Sequence, residues 1–151
     1  MNNKIPPPIV TLFFGCCIYF SRDYFLSVNI QWLSILSYAF FIAGITALFL
    51  AIRLFKRKET TVNPIKIETA SSLVTSGIFN YSRNPMYLGM ALILIGLSLK
   101  FNLIGGFIFT AFFMLFITYF QIRPEEKAMH EIFGEEFLNY KENVRMWLCI
   151  G

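Results

Sequence analysis

The sequence predicts an all-α integral membrane protein with about four transmembrane helices. It also predicts a cytoplasmic loop between the second and third helices and an amphipathic helix at the C-terminus. Three observations carry this. The 151 residues are 56% hydrophobic and only 15% charged, with a mean hydropathy of +0.60. Soluble domains carry about 25% charged residues, and a chain this apolar cannot cover its own surface with polar groups. Apolar segments occur at residues 8–28, 30–52, 85–99 and 101–122. With the N-terminus inside, 11 of the 13 Lys and Arg fall on the cytoplasmic side, leaving only Arg22 and Lys100 opposite, the asymmetry expected of a multi-pass membrane protein. The length allows one domain, residues 1–151.

The first segment begins near Pro8 and reads IVTLFFGCCIYF, with Arg22 and Asp23 toward its far end. Cys16 and Cys17 sit inside it as small apolar filler. With Cys149 they form neither a disulfide framework nor a metal site. The second segment is the clearest, because no charged residue occurs from Tyr24 to Ile52. A spanning helix needs about 20 apolar residues, which the second and fourth segments supply. The third, PMYLGMALILIGLSL, is short and must lean on protein neighbours. Lys100 alone separates it from the fourth, which predicts a tight helical hairpin.

The loop at residues 53–84 contains Pro64, the alternating IKIE and the apolar residues Leu73, Val74, Ile78 and Phe79. That apolar content disfavours disorder, so the loop is expected to be ordered and partly extended over the cytoplasmic end of the bundle. A tail helix is predicted over 124–142. Pro124 suits a first helical turn, and Glu125 and Glu126 complement the helix N-terminus. Met129, Ile132, Phe133 and Phe137 recur at helical spacing. The opposite face is acidic, a poor match for an anionic leaflet, so this helix is expected to pack back onto the protein. Trp147 is expected at the headgroup level.

Several function classes are excluded at this point. The basic residues lie beside apolar runs, not on a soluble face, which argues against nucleic-acid binding. His130, the only histidine, has no partner at ligand spacing, so no metal site is predicted. No ionisable residue sits in mid-span, which disfavours a transporter.

The stretch YSRNPMYLG at residues 81–89 raises the functional question. Asn84 and Pro85 make a good helix start, and Arg83 beside them could simply reach lipid phosphate. A helix N-terminus also attracts anions. With Arg83, Tyr81 and Tyr87 around it, the sharper reading of the cluster is a cofactor seat at the membrane surface.

LVTSGIFNYSRNPMYLG, an apolar hairpin, and then PEE and FGEEFLNYKENVRMW in that order resemble the isoprenylcysteine carboxyl methyltransferase and phospholipid N-methyltransferase superfamily, over about residues 60–147. The usual pattern there is L-V-T-x-G-x-Y, R-H-P-x-Y-x-G, and a glutamate pair ahead of F-G-x-x-Y-x-x-Y. The resemblance implies S-adenosylmethionine as cofactor. By similarity it would be lined by Ser71, Ser72, Leu73, Val74, Phe79, Arg83, Asn84, Pro85, Met86 and Tyr87, with Glu125 and Glu126 reaching it from the last helix. It implies methyl transfer to a membrane-embedded, lipid-like acceptor at the cytoplasmic face, carboxyl or other O-methylation being favoured. The alternatives are a phospholipid amine N-methyltransferase and a non-catalytic membrane binding protein that retains the fold. Membrane lipids are the other implied partners.

The chain departs from the pattern at Asn84, where the family has histidine, and at Phe79, where it has tyrosine. Gln121 replaces an arginine that faces the substrate carboxylate in the carboxyl methyltransferases. Arg123 lies two residues on, and Gln121 and Arg123 are the substrate candidates. Without the additional N-terminal helices of larger relatives, a prokaryotic inner membrane is expected, with both termini cytoplasmic.

Overall fold

A computed structural model describes residues 5–25, 31–57 and 72–148. The order is α1 (Pro7–Phe20), a 3-10 turn (Arg22–Tyr24), α2 (Gln31–Arg57), a 3-10 turn (Gly77–Asn80), α3 (Pro85–Phe101), α4 (Leu103–Ile117), a π-turn (Thr118–Ile122) and α5 (Arg123–Asn143). Among the described residues the fold is all-helical. Two helical runs, Gln31–Arg57 and Leu103–Asn143, are long and apolar enough to cross a membrane, while α1 and α3 are shorter apolar helices.

α1 ends at Phe20, short of the expected residue 28, and its 14 residues reach about 21 Å. α2 runs past Ile52 and carries Arg53, Lys56 and Arg57 as helical residues. The IKIE stretch lies outside the described residues. The predicted hairpin is present. Asn102 breaks the helix with extended backbone, its side chain accepts from the Gly105 N–H at 3.0 Å, and its amide donates to the Ser21 hydroxyl at 3.0 Å.

α3 packs most extensively on α2, and small residues make that possible. A Cβ on Gly44 would stand 2.6 Å from the Gly89 carbonyl oxygen, one on Gly89 2.8 Å from the Gly44 carbonyl, and one on Gly96 2.8 Å from the Ser37 carbonyl. Backbones in such contact gain close packing where apolar burial alone offers little drive. Across the other side of α3, Ile18, Leu94, Phe113 and Ile117 are fully buried. The outward faces stay apolar, with Trp32 77% and Phe49 60% exposed, which suits a hydrocarbon surround. Gly89→Leu is therefore expected to force α2 and α3 apart and cost about 1–3 kcal/mol, read as an unfolding midpoint in detergent. Gly15→Ala is the control, because its Cβ would meet nothing nearer than Leu97 at 3.4 Å.

The tail departs from expectation in two places. α5 does not start afresh at Pro124 but continues from α4 through the π-turn, with the Arg123 N–H bonded to the Thr118 carbonyl. Proline lacks an N–H and crowds the carbonyl four residues back, and a widened turn just before Pro124 accommodates both. Gly134, at φ 50° and ψ −124°, kinks α5. The stripe Met129–Phe137 is thus not one continuous face, and Phe137 is the buried residue of α5. Beyond the kink the tail does fold back onto the protein. Trp147 is half-buried against the core, and its indole N–H donates to the Thr118 hydroxyl at 3.2 Å.

Candidate functional site

Three elements converge on the N-terminal end of α3: the segment 72–84 before it, the start of α5, and the chain after α5. Each binds side chains through groups far away in sequence.

The first grouping is apolar. Val74 and Phe79 are buried with Ala51 of α2, and Leu54, Phe55, Ile78, Met86 and Tyr140 pack against them. Gly77 turns the chain into this cluster with φ 63°, which suits a residue without a Cβ, and a Cβ there would meet Leu54 at 2.9 Å. The Tyr140 hydroxyl donates to the Phe79 carbonyl at 2.7 Å. Burial pushes the Tyr140 phenol well above its usual value, so it remains a donor.

The second grouping joins α3 to α5. The Tyr87 hydroxyl donates to Glu125 Oε1 at 2.5 Å. Glu125 is half-buried as a residue, yet its carboxyl is drawn inward. Desolvation pushes its pKa up to about 7, and the Tyr87 hydrogen bond offsets part of that rise. A carboxyl poised near neutrality inside a protein is a functional-site signal.

The third grouping is ionic. The Arg83 guanidinium, with its side chain 8% exposed, donates to Glu126 Oε1 through Nε at 3.1 Å and Nη2 at 2.6 Å. Lys141 Nζ lies 3.1 Å from Glu126 Oε2. Arg83 Nη1 donates to the Lys141 carbonyl at 3.1 Å and to the Val144 carbonyl. The chain after α5 is held further by the Arg83 N–H on the Arg145 carbonyl at 3.0 Å and by the Ser82 hydroxyl and Asn84 amide on the Met146 carbonyl at 3.4 and 3.1 Å. Asn84 therefore does not cap α3 with its side chain. Its amide is spent on Met146, and no side-chain cap is made at that helix start. Arg83 likewise points its charge at Glu126 and at carbonyls.

The remaining candidates divide. Ser71 lies outside the described residues. Leu73 is half-buried, and Pro85 is buried at the start of α3. Gln121 is 2% exposed in the π-turn. Its Nε2 donates to the Ile5 carbonyl at 2.9 Å, so its Oε1 is the free acceptor. Arg123 stands apart from it, exposed, with its guanidinium over the Tyr119 ring at 4.2 Å. Among the described residues, two buried side-chain polar atoms lack a hydrogen-bond partner: Ser72 Oγ and Gln121 Oε1. Such a group costs about 1–3 kcal/mol. Both belong to residues singled out from the sequence, one for the cofactor and one for the acceptor.

Ala51, Leu54, Phe55, Ser82 and Lys141 were not foreseen. An alanine or leucine at the end of a spanning helix carries no local mark of its neighbours. Tyr140 does carry a signal, since it occupies a tyrosine position of the resembled pattern.

A family model described as phospholipid methyltransferase matches residues 32–136. An uncharacterised protein of Haemophilus influenzae is 38% identical over 63 residues, which are 42% of this chain and 100% of that protein. No solved structure matches the chain.

Proposed function

The chain belongs to the phospholipid methyltransferase family, and from that premise we propose that it transfers a methyl group from S-adenosylmethionine to a lipid-like acceptor at the cytoplasmic face of a membrane. The observation that carries the reading is the convergence at the start of α3 of an enclosed carboxyl (Glu125), a helix start without a side-chain cap and an apolar cluster (Val74, Phe79, Met86), with the orphan hydroxyl of Ser72 two residues before Val74 in the chain. These residue types fit the chemistry of the cofactor. Glu125 suits its cationic groups, Ser72 and the α3 N-terminus suit its polar and anionic groups, and the apolar cluster suits its adenine. When bound, S-adenosylmethionine supplies a methyl group on a sulfonium, so the protein needs no metal for this transfer.

In this reading the protein's own work is positional. Tyr87 holds the Glu125 carboxyl in place. Arg83 and Glu126 clamp the start of α5 to the start of α3. The returning chain from Val144 to Trp147 closes the cytoplasmic end and keeps water out. Asn84, held by Met146, has no titratable proton for acid–base work, so it acts as a tether. We read four spans. α2 and the apolar stretch ending at Ile122 cross fully, while α1 and α3 lean on them, and both termini and residues 53–84 are cytoplasmic. The whole chain, 1–151, then forms one membrane domain.

Gln121 favours a second reading of the acceptor. Its orphan Oε1 can only accept, and it lies one turn before Glu125. An acceptor atom suits a headgroup that donates, such as an amine, better than a carboxylate. The test is methyl transfer from labelled S-adenosylmethionine to vesicles of phosphatidylethanolamine or of phosphatidylglycerol, and to a prenylcysteine. Label in phosphatidylethanolamine is the expected result. Label in the prenylcysteine alone would restore O-methylation, and label in none, with a folded protein that binds no cofactor, would overturn the reading.

A further inference from the structure

We propose that the cytoplasmic end of α2 carries a second lipid site, separate from the methyl acceptor's, which takes the phosphate of an anionic membrane phospholipid. A groove of about 440 Å³ there is lined, among the described residues, by Phe49, Ile52, Arg53, Lys56 and Arg57. These residues fall at i, i+3, i+4, i+7 and i+8, so they form one continuous helical stripe. At 100° per residue, set by about 3.6 residues per turn, this stripe lies opposite Ala51, Leu54 and Phe55, which face the Val74–Phe79 cluster. The groove therefore opens away from the candidate cofactor seat, and what it holds is not the acceptor.

The chemistry of the stripe is amphipathic and one-signed. α2 contains no Asp or Glu. Among the described residues Arg53, Lys56 and Arg57 form no ion pair, the ion pairs there being Arg22–Asp23, Arg83–Glu126 and Lys141–Glu126. Three cations share one groove, and Phe49, 60% exposed, continues it toward the uncharged part of the helix. A phosphate seated on the cations with an acyl chain lying along Ile52 and Phe49 matches both ends. Basic pockets at the cytoplasmic boundary of a spanning helix recognise anionic headgroups in this way, and the two arginines offer forked donors to a phosphate. A free phosphate would match only the charged end, so the apolar end decides for a lipid.

The site can be read without cofactor or turnover. Native mass spectrometry of the detergent-solubilised full chain would compare dioleoylphosphatidic acid, dioleoylglycerol and inorganic phosphate. Wild type is expected to retain the phosphatidic acid and not the dioleoylglycerol. R53Q/K56Q/R57Q should weaken retention on the order of 100-fold, since each cation near an anionic lipid contributes about fivefold. R53K/R57K should keep most of it. If the triple variant does not fold, each single Gln variant should lose about fivefold. Equal retention by wild type and the Gln variants, or equal retention of dioleoylglycerol, would overturn the site. Displacement of the lipid by millimolar inorganic phosphate would overturn its assignment to a lipid. S-adenosylmethionine binding is expected to be unchanged in R53Q/K56Q/R57Q, so failure here leaves the methyltransferase reading standing.

Discussion

Glu125→Gln is expected to abolish measurable S-adenosylmethionine binding, a loss of at least about 100-fold, while leaving the protein folded. The reason is the position of the carboxyl. It is enclosed, it is held by the Tyr87 hydroxyl, and it is the acidic group facing the apolar cluster's end of α3. Removing one partner of a buried, hydrogen-bonded charge pair costs about 2–5 kcal/mol, and about 3 kcal/mol is 100-fold in affinity; glutamine keeps the shape while removing the charge. The pH dependence separates charge from shape. With the carboxyl pushed up to about 7 from an ordinary 4.5, the native state holds a proton that the unfolded state has already lost. This group's stabilising contribution is therefore fully present below about pH 4.5 and is lost as pH rises through about 7. Binding of a cationic ligand runs the other way, because it needs the ionised form. Wild-type affinity should rise about tenfold between roughly pH 6 and 8, following the ionised fraction. Calorimetric titration at several pH values checks this. In Glu125→Gln both the stability slope and any pH-dependent binding should vanish. Wild-type affinity flat across that range would remove Glu125 from the cofactor.

Arg83→Met is expected to destabilise the fold by about 3 kcal/mol, at the low end of the 3–5 found when one partner of a buried pair is removed. Both side chains are nearly enclosed, at 8% and 11% exposure, and the substitution strands the Glu126 carboxylate. Lys141, 3.1 Å from Glu126 Oε2, softens the loss. The same change releases the Lys141 and Val144 carbonyls, so the chain after α5 should loosen first. Hydrogen exchange should show faster exchange at 144–147 before global unfolding. Arg83→Met with Glu126→Gln should be more stable than Arg83→Met alone, because no stranded charge remains. If Arg83→Met keeps the wild-type unfolding midpoint yet loses cofactor binding, the guanidinium belongs to the cofactor and not to the clamp.

Much of the candidate site was legible because its residues are dense in one short stretch. Ser72 through Tyr87 lie within one loop and one helix start, and the glutamates follow the next hairpin. The partnerships were not legible. Arg83 looked like a free charge beside a helix N-terminus, and Asn84 like a cap. In the fold both are taken up by backbone carbonyls of residues 141–146, and a carbonyl has no side-chain identity to read. The π-turn was hidden for a related reason. Pro124 signals a helix start, yet a helix that widens just before it absorbs the proline without stopping.

By itself the sequence determined the helices and their order. Apolar runs and charge placement are local properties, and burial in hydrocarbon rewards them whatever the neighbours. It also determined that a tight hairpin joins α3 and α4, while the break at Asn102 and the close α2–α3 approach at Gly44, Gly89 and Gly96 emerged only in the fold. Only the tertiary structure decided which charges are spent and which are free. Arg83 and Glu126 lie 43 residues apart in the chain and meet because α3 and α5 are brought together by the hairpin between them. Among the described residues Arg53, Lys56 and Arg57 have no ion-pair partner, because the face of α2 that bears them turns away from that meeting point.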